Sequence, residues 1–465
     1  MRGGLRILHA VHDYLPRHRA GSEIYAARLC RELALRHHVT VVCAEYNPAR
    51  PHGDLTWRLH DDLPVVEIAN NWACRTFADT YRPPIISARL AQVLDMVQPH
   101  ILHVHNLLNL SFDLPATARA RGIPVVATLH DYTLVCPSGG QRIHRAESHV
   151  CRAIDVSRCA RCFPQSPFYA QAAASPLAGA VSRSALLRRT LASARDQLPR
   201  LTQAAAAAAG RARRHLEVTP ADVAERLARA RTIFEQVDLF VAPSASIADE
   251  FAALGLPRSK IRVADYGFAP LPRAERGETT GRLRIGFVGT LVWHKGLHVL
   301  LDAVSRLPAD TFELLIHGDT RMFPEYVADL RRRAAGLPVR FAGTFDAAQA
   351  PSVYAGLDLL VVPSLWLENS PLVIHEAFQA GIPVVGARIG GIVGLIHDGL
   401  AGRLYDPESP AELAAVLQSV IDDPAQLARW ARHLPPITSI ADDAREWDGI
   451  YATLASPAGA RISAQ

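Results

Sequence analysis

A chain of 465 residues that is 49% hydrophobic and 20% charged is too long for one hydrophobic core and too apolar for wholesale disorder, so two to three domains are expected. Its net charge of +5 is modest for that length and gives no reason to expect a nucleic acid partner. No run reaches the ~18 apolar residues that a membrane-spanning helix needs.

The opening "MRGGLRILHAVHDYLP" has only a short apolar run carrying His and Asp, with no small-residue cleavage site. It reads as a first strand rather than a secretory leader, and a cytoplasmic setting is the expectation. The strand "LRILHAV" leads through a loop containing Gly21 into "EIYAARLCRELALR", where Ile24, Leu29, Leu33 and Leu35 recur at roughly helical spacing. "HVTVVCA", "HILHVHN" and "PVVATLHD" read as further strands. Being apolar on both faces, they imply a parallel sheet covered by helices on both sides. A cysteine-rich insert follows over residues 136–162, then an Ala- and Arg-rich helical insert over 175–236. From Arg183 to Glu235 there are eleven Arg against five acidic residues. That excess suits an anionic lipid surface or an acidic partner, and equally a solvated helix face. "VDLFVAPS" and "IRVADYG" then restore the strand pattern.

The polar stretch "PLPRAERGETTGR", punctuated by Pro and Gly, marks a linker over 270–282. Beyond it the alternation begins afresh with "LRIGFVG", "FELLIHG", "VRFAGTF", "LDLLVVPS" and "IPVVGAR". The expected organisation is a Rossmann-like domain over 1–269, a second over 283–435, and a closing helix and tail over 436–465. In that helix Trp447 and Tyr451, at i,i+4, supply a docking face. Two doubly wound α/β sheets facing each other would make a central cleft, with ligands at the carboxyl ends of the strands.

The chemistry concentrates in "SLWLENSPLVIHEAFQAGIPVV". Glu368 falls in the loop after a strand, Ser370 is the expected N-cap, Pro371 the first helical residue, and Glu376 lies a turn and a half further. Leu372, His375, Glu376 and Gln379 then share one helix face. The amides of Ser370 to Val373 form a helix N-terminus suited to an anion. A phosphate there would leave both carboxylates in reach of attached hydroxyls, although spacing alone equally allows two solvated charges. "FVGTLVWHKG" adds Gly289 for close backbone approach and Lys295 as a point charge for phosphate. It is neither GxxxxGK[ST] nor GxGxxG. "ARIGGIVG" adds a Gly pair after a later strand.

Together, "FVGTLVWHKG", "LWLENSPLVIHEAFQAGIPVVGARIGG" and "HDGLAGRLYDPESPAELAAVL" resemble the donor domain of the retaining glycosyltransferases of family 4, which have the GT-B fold. The E-x7-E signature of that family is Glu368 to Glu376 here. The resemblance spans residues 283–417 well and the first domain more loosely. It implies that Glu376 holds ribose hydroxyls of a nucleotide-diphosphate sugar and Glu368 those of the transferred sugar. Gly289, Thr290, Lys295 and the Ser370, Pro371, Leu372 and Val373 segment would surround the diphosphate. Gly21 would be the glycine of a loop near that diphosphate, and His130 in "TLHDY" the active-site histidine, with His103 to Asn106 ("HVHN") in a lesser role nearby. Thr290 departs from the family's usual Arg, Gly394 from a common acidic residue, and "ENSP" from a Gly-containing version.

The implied reaction is sugar transfer to an acceptor hydroxyl with retention, by electrostatic stabilisation of the leaving diphosphate and without a metal for the chemistry. The implied acceptor is a glycan or a lipid-linked glycan, in cell-surface polysaccharide or glycolipid synthesis, with the basic insert touching the inner face of a membrane. A non-catalytic GT-B scaffold remains open, as do an epimerase and a phosphorylase on the same architecture.

Cys136, Cys151, Cys159 and Cys162 have fourteen, seven and two residues between them. Four thiolates with one CxxC pair suit a structural zinc and leave no open position for a catalytic one. Four reduced cysteines or a redox pair remain open alternatives.

Overall fold

The computed structural model describes residues 4–18, 20–144, 147–166, 169, 217–272, 274–275 and 281–456. Residues 175–216 of the expected basic insert and 276–280 of the expected linker lie outside them. The chain forms two compact units. The first comprises residues 1–243, 248–264 and 440–465, and the second 244–247 and 265–439.

Among the described residues, the strands of the first unit are β1 (Arg6–Val11), β2 (His38–Glu45), β3 (Leu55–His60), β4 (Leu63–Ala69), β5 (Ile101–Val104), β6 (Val125–Thr128), β7 (Ile143–His144), β8 (His149–Val150), β9 (Leu239–Ala242) and β10 (Ile261–Val263). Eight of them make one sheet in the order β10-β9-β6-β5-β1-β2-β4-β3, while β7 and β8 form a separate hairpin. The central strands are aliphatic on both faces and fully enclosed: Ile7, Leu8, Ile101, Leu102, Val125 and Val126 are each 0% exposed. Burial on both sides is what makes these runs parallel strands rather than half-wet antiparallel ones.

The edge strand β3 is the exception, running antiparallel to β4. The link is Asp61-Asp62, both at positive φ (+48° and +62°), the conformation a two-residue hairpin turn requires. The sequence reading passed over this hairpin, because its turn lacks the usual glycine.

The helix expected after β1 runs Gly21–Ala34 with Ala20 as its N-cap. Gly21 is thus the first helical residue rather than part of the preceding loop. The helix Pro220–Gln236 begins with a reciprocal capping box between Thr219 and Asp222. Its Arg226 is not a solvated charge as expected of the basic insert. It is buried, donates to the carbonyls of Leu134 and Thr133 at 3.0 and 2.5 Å, and lies over the Phe112 ring. Burial pulls its guanidinium down to about 10.

The helix Ile440–Leu454 returns to the first unit. Trp447 Nε1 donates to the Tyr25 hydroxyl at 3.2 Å, and the Tyr451 hydroxyl is 2.6 Å from His103 Nδ1. Asp448 pairs with Arg36 and His37 at 2.7 and 2.8 Å. Trp447 and Tyr451 are the docking face expected from their spacing.

The second unit holds β11 (Leu283–Val288), β12 (Phe312–His317), β13 (Val339–Gly343), β14 (Leu359–Val362), β15 (Val384–Ala387) and β16 (Gly402–Tyr405). All neighbours are parallel, in the order β13-β12-β11-β14-β15-β16. Numbered within the unit, that order is 3-2-1-4-5-6. Its direction reverses between β11 and β14, the point where loops leaving adjacent strand ends splay apart and admit a ligand.

Candidate active site

The loops that follow β11 and β14 carry the residues singled out above, so the topology brings Lys295 and Glu368 to the switch point. Lys295 ends a short turn, Trp293–Lys295, and its Nζ lies 2.6 Å from Glu368 Oε1. The same oxygen accepts from Ser364 Oγ at 2.7 Å, and Lys295 Nζ lies 5.3 Å from the centre of the Trp366 ring. Glu368 is 4% exposed. A carboxylate so enclosed requires both a cation and a hydroxyl donor, and it has them.

Glycines let these loops approach one another. A Cβ on Gly296, which sits at φ +70°, would lie 1.8 Å from the Pro363 carbonyl oxygen. One on Gly390 would lie 2.4 Å from the carbonyl oxygen of Glu368, and one on Gly391 only 1.5 Å from that of Asn369. The Gly391 amide also donates to the Glu368 carbonyl at 2.7 Å. The Gly pair after β15 therefore seats the glutamate loop. At Gly289 the nearest atom to such a Cβ is 3.6 Å away, an ordinary contact.

The helix after this loop runs Leu372–Gln379 with Pro371 as N-cap, one residue later than the spacing suggested. Pro371 has no N–H to offer, which leaves Leu372 and Val373 as the first helical donors without an intrahelical partner. Ser370 does not cap. Its hydroxyl donates to Asp265 Oδ1 at 2.7 Å and stands 2.8 Å from His375 Nε2. His375 is itself buried, 3.3 Å from Asp265 Oδ2 and stacked on Phe268. Gln379 Oε1 accepts from the Leu271 amide. Of the four residues expected on one face, His375 and Gln379 thus hold the chain entering the unit. Glu376 is half-buried, and its Oε2 accepts from the Tyr354 hydroxyl at 2.7 Å. Burial, then the Glu376 charge, holds the Tyr354 phenol far above its ordinary value, so it stays a donor. Thr290 is exposed.

In the first unit the strand order reverses between β1 and β5, and four histidines gather there. His130 follows β6 and is partly exposed, with its Nε2 3.0 Å from His105 Nδ1. His105 Nε2 lies 3.0 Å from His9 Nδ1. His103 packs face-on against His105, ring centres 4.2 Å apart, and its nitrogens meet Tyr451 and Thr128 at 2.6 and 2.8 Å. Burial holds His9 and His130 down to about 3, and His103 and His105 well below their usual value. Gly21 opens its helix, two residues before the buried Glu23, which lies 3.2 Å from His12 Nε2.

Cys136, Cys151, Cys159 and Cys162 line one cavity of about 20 Å³ together with Ser138, Arg142 and His144. They come from the turn after β6, the residue following β8, and the helix Val156–Cys162. None is in a disulfide. Burial, then the neighbouring thiols, pushes Cys151 up to about 11 and Cys159 up to about 12. No three of these sulfurs stand within 4.8 Å of one another.

The family model described as "Glycosyl transferases group 1" matches residues 282–423, and the one described as "Glycosyltransferase Family 4" matches residues 19–179. The chain belongs to the group 1, family 4 glycosyltransferases. Among curated relatives of this family, the glycogen synthase of Mycobacterium tuberculosis is 33% identical over 207 residues, 43% of this chain and 49% of that one. The D-inositol 3-phosphate glycosyltransferase of an Arthrobacter species is 30% identical over 213 residues, 44% and 47% of the two chains. The matched segment spans about half the length of these relatives. The solved HepE of Anabaena, in complex with UDP and glucose, aligns over 97% of this chain and 100% of its own with a TM-score of 0.60, at 15% identity. That likeness is one of fold and identifies the two sheets as those of GT-B glycosyltransferases.

The motifs contain Lys295, Glu368 and Glu376 but give no role to Ser364 and Tyr354, which donate to Glu368 and Glu376, or to Asp265, which accepts from Ser370. No spacing rule points to these three. His9 was visible only as a polar residue inside the first strand, which is a signal in its own right. Gly394 opens onto space, with no atom within 4 Å of an added Cβ.

Proposed function

We propose that this chain transfers a sugar, with retention, from a nucleotide-diphosphate sugar to an acceptor hydroxyl. The observation that carries the reading is the pairing of the half-buried Lys295 with the buried Glu368 at the strand-order reversal, beside the open first turn of Leu372–Gln379. In this reading the Leu372 and Val373 amides and the Lys295 ammonium hold the diphosphate and stabilise the charge that develops as it leaves. Glu368, oriented by Lys295 and Ser364, accepts hydrogen bonds from the transferred sugar. Glu376, oriented by Tyr354, accepts those of the ribose, and His130 touches the sugar. Ser370 supports the loop through Asp265 rather than binding phosphate.

A UDP-sugar is the first donor to test, because HepE was crystallised with UDP and glucose. The acceptor in this reading is a glycan, free or lipid-linked, at the cytoplasmic face of a membrane, in polysaccharide or glycolipid synthesis. Among the described residues no helix is long and apolar enough to cross a membrane. The test is a thermal-shift screen against UDP-, GDP-, ADP- and TDP-sugars without added metal, followed by release of the nucleoside diphosphate. Stabilisation by one base family with turnover supports the reading. A folded sample that none of them stabilises overturns it and favours a non-catalytic scaffold weakened at Thr290.

We also propose a structural zinc at Cys136, Cys151, Cys159 and Cys162. Support comes from their convergence on one cavity with room for an ion. Zn–S bonds of about 2.3 Å require the loop to draw in around the metal.

A further inference from the structure

Lys260 and Lys295 are the only lysines among the 50 lysines and arginines of the chain. Lys260 shows what a compact ammonium offers. Its Nζ lies 3.0, 2.9 and 2.9 Å from the carbonyl oxygens of Phe234, Glu235 and Val237. Three acceptors gathered about one point use the three N–H bonds of an ammonium, and a planar guanidinium has no such geometry.

Lys295 has the same three N–H bonds to place. One is taken by Glu368 Oε1, 2.6 Å from Nζ. The face of the Trp366 ring occupies a second direction, its centre 5.3 Å from Nζ, within the range at which an indole attracts a cation. Trp366 and Glu368 are the two ends of one tight turn, closed by the Glu368 amide donating to the Trp366 carbonyl at 2.7 Å. The carboxylate and the ring thus reach the ammonium from a single three-residue turn. That turn is joined to the lysine loop. The Leu365 amide donates to the His294 carbonyl at 2.8 Å, and the His294 ring meets Trp366 edge-on with centres 5.7 Å apart. The Trp366 Nε1 is buried and has no hydrogen-bond partner among the described residues. A phenylalanine would fill much of the same space without an unpaired donor. What the indole adds is a stronger π face for a cation.

We propose that Trp366 is a positioning residue for Lys295. Its ring and the Glu368 carboxylate take two directions of the ammonium and leave the third N–H for the donor diphosphate. All three residues belong to the second unit. The Lys295 side chain is 27% exposed, which leaves room for that third contact. The consequence for binding rests on the reading of Lys295 as a diphosphate ligand. Without the ring, the ammonium on its flexible stem would sample more positions, and binding would have to order it.

The test begins with NMR on full-length protein labelled with 13C-lysine, in which only two side chains give signals. Lys295→Met assigns them. The Lys295 Hε signals are expected upfield, in the ring current of Trp366, and should move downfield in Trp366→Leu. Calorimetric titration then uses whichever of UDP, GDP, ADP and TDP stabilises the protein most. Trp366→Leu is expected to raise Kd roughly twofold to fivefold and Trp366→Phe to raise it less. In a Lys295→Met background the loss of the ring should add nothing further. Should Trp366→Leu not fold, Trp366→Phe takes its place in both measurements. A Lys295 signal that ignores the Trp366 substitution overturns the proposal, as does equal weakening with and without Lys295. If Lys295→Met binds as well as wild type, the diphosphate reading fails and the third contact with it, while the ring-current shift still decides whether Trp366 holds the ammonium.

Discussion

Lys295 and Glu368 are 73 positions apart in the chain and 2.6 Å apart in space. The pair is held by a fold that puts the first and fourth strands of the second sheet side by side. Its members are not interchangeable in what they do. Lys295→Ala is expected to raise the donor KM on the order of tenfold and to leave Glu368 an uncompensated buried charge, with a loss of roughly 3 kcal/mol of stability. Glu368→Gln, which keeps shape and removes charge, is expected to lower kcat more than it raises KM. Steady-state kinetics on both variants, with urea unfolding alongside, checks this, and equal small effects on KM and kcat would count against the site.

Tyr354 has no contact with substrate in the proposed arrangement, yet it fixes the Glu376 carboxylate. Tyr354→Phe removes one buried hydrogen bond, about 1 kcal/mol of stability. The donor KM should rise several-fold while kcat holds. A variant with unchanged KM would show that Glu376 needs no orientation by Tyr354.

Gly391→Ala must push its methyl into the Asn369 carbonyl, and Gly390→Ala into that of Glu368. Each should abolish donor-induced stabilisation and lower Tm. Gly394→Ala, which meets no atom within 4 Å, serves as the control and should leave both readings as they were.

The buried histidines give a pH dependence with a definite sign. The folded protein keeps His9 and His130 neutral to about pH 3, while the unfolded chain takes up protons near pH 6.5. The stability they contribute is complete above pH 6.5 and is lost as the pH falls below it, by at most about 1.4 kcal/mol per pH unit for each ring. His103 and His105, also lowered, add to the slope. His18, raised by its hydrogen bond to Glu45, opposes it with a single partly exposed ring. Urea unfolding at pH 7.5, 6.0 and 5.0 should show the decline, and a flat profile would contradict the assigned protonation.

The cysteine cluster predicts one zinc per chain in protein purified without chelator. Elemental analysis of wild type and Cys159→Ser checks this, with the variant expected to lose the metal and some Tm but to keep donor-induced stabilisation. Metal-free wild type with all seven thiols titratable in denaturant would leave the reduced-cysteine reading.

The sequence carried the strand–helix alternation of both sheets, because buried parallel strands are continuous aliphatic runs with little else to confuse them. "LDLLVVPS" and "IPVVGAR" could be placed to within a residue or two. The β3–β4 hairpin escaped because two aspartates at positive φ are an uncommon turn. The glutamate pair, Lys295 and His130 stood in motifs. Their supports did not: Tyr354 reaches Glu376 across 22 positions and Ser370 reaches Asp265 across 105. Contacts of that range are set by how strands order themselves, and no local pattern encodes them. Ser370 shows the cost most plainly, since it looks like a cap by every local rule and instead braces the chain entering the unit.

Apart from the four residues 244–247, the polypeptide passes from the first unit to the second at residues 264–265 and comes back at 439–440. Its returning helix supplies the Tyr451 hydroxyl to His103 and the Trp447 indole to Tyr25. No single proteolytic cut can therefore divide the molecule into two whole halves. A fragment ending at residue 264 would uncover the ring faces beside its own histidines, whereas a cut in the 270–282 stretch leaves the last helix clasped to the first. Limited digestion should accordingly nick the chain without separating its pieces until denaturant is added.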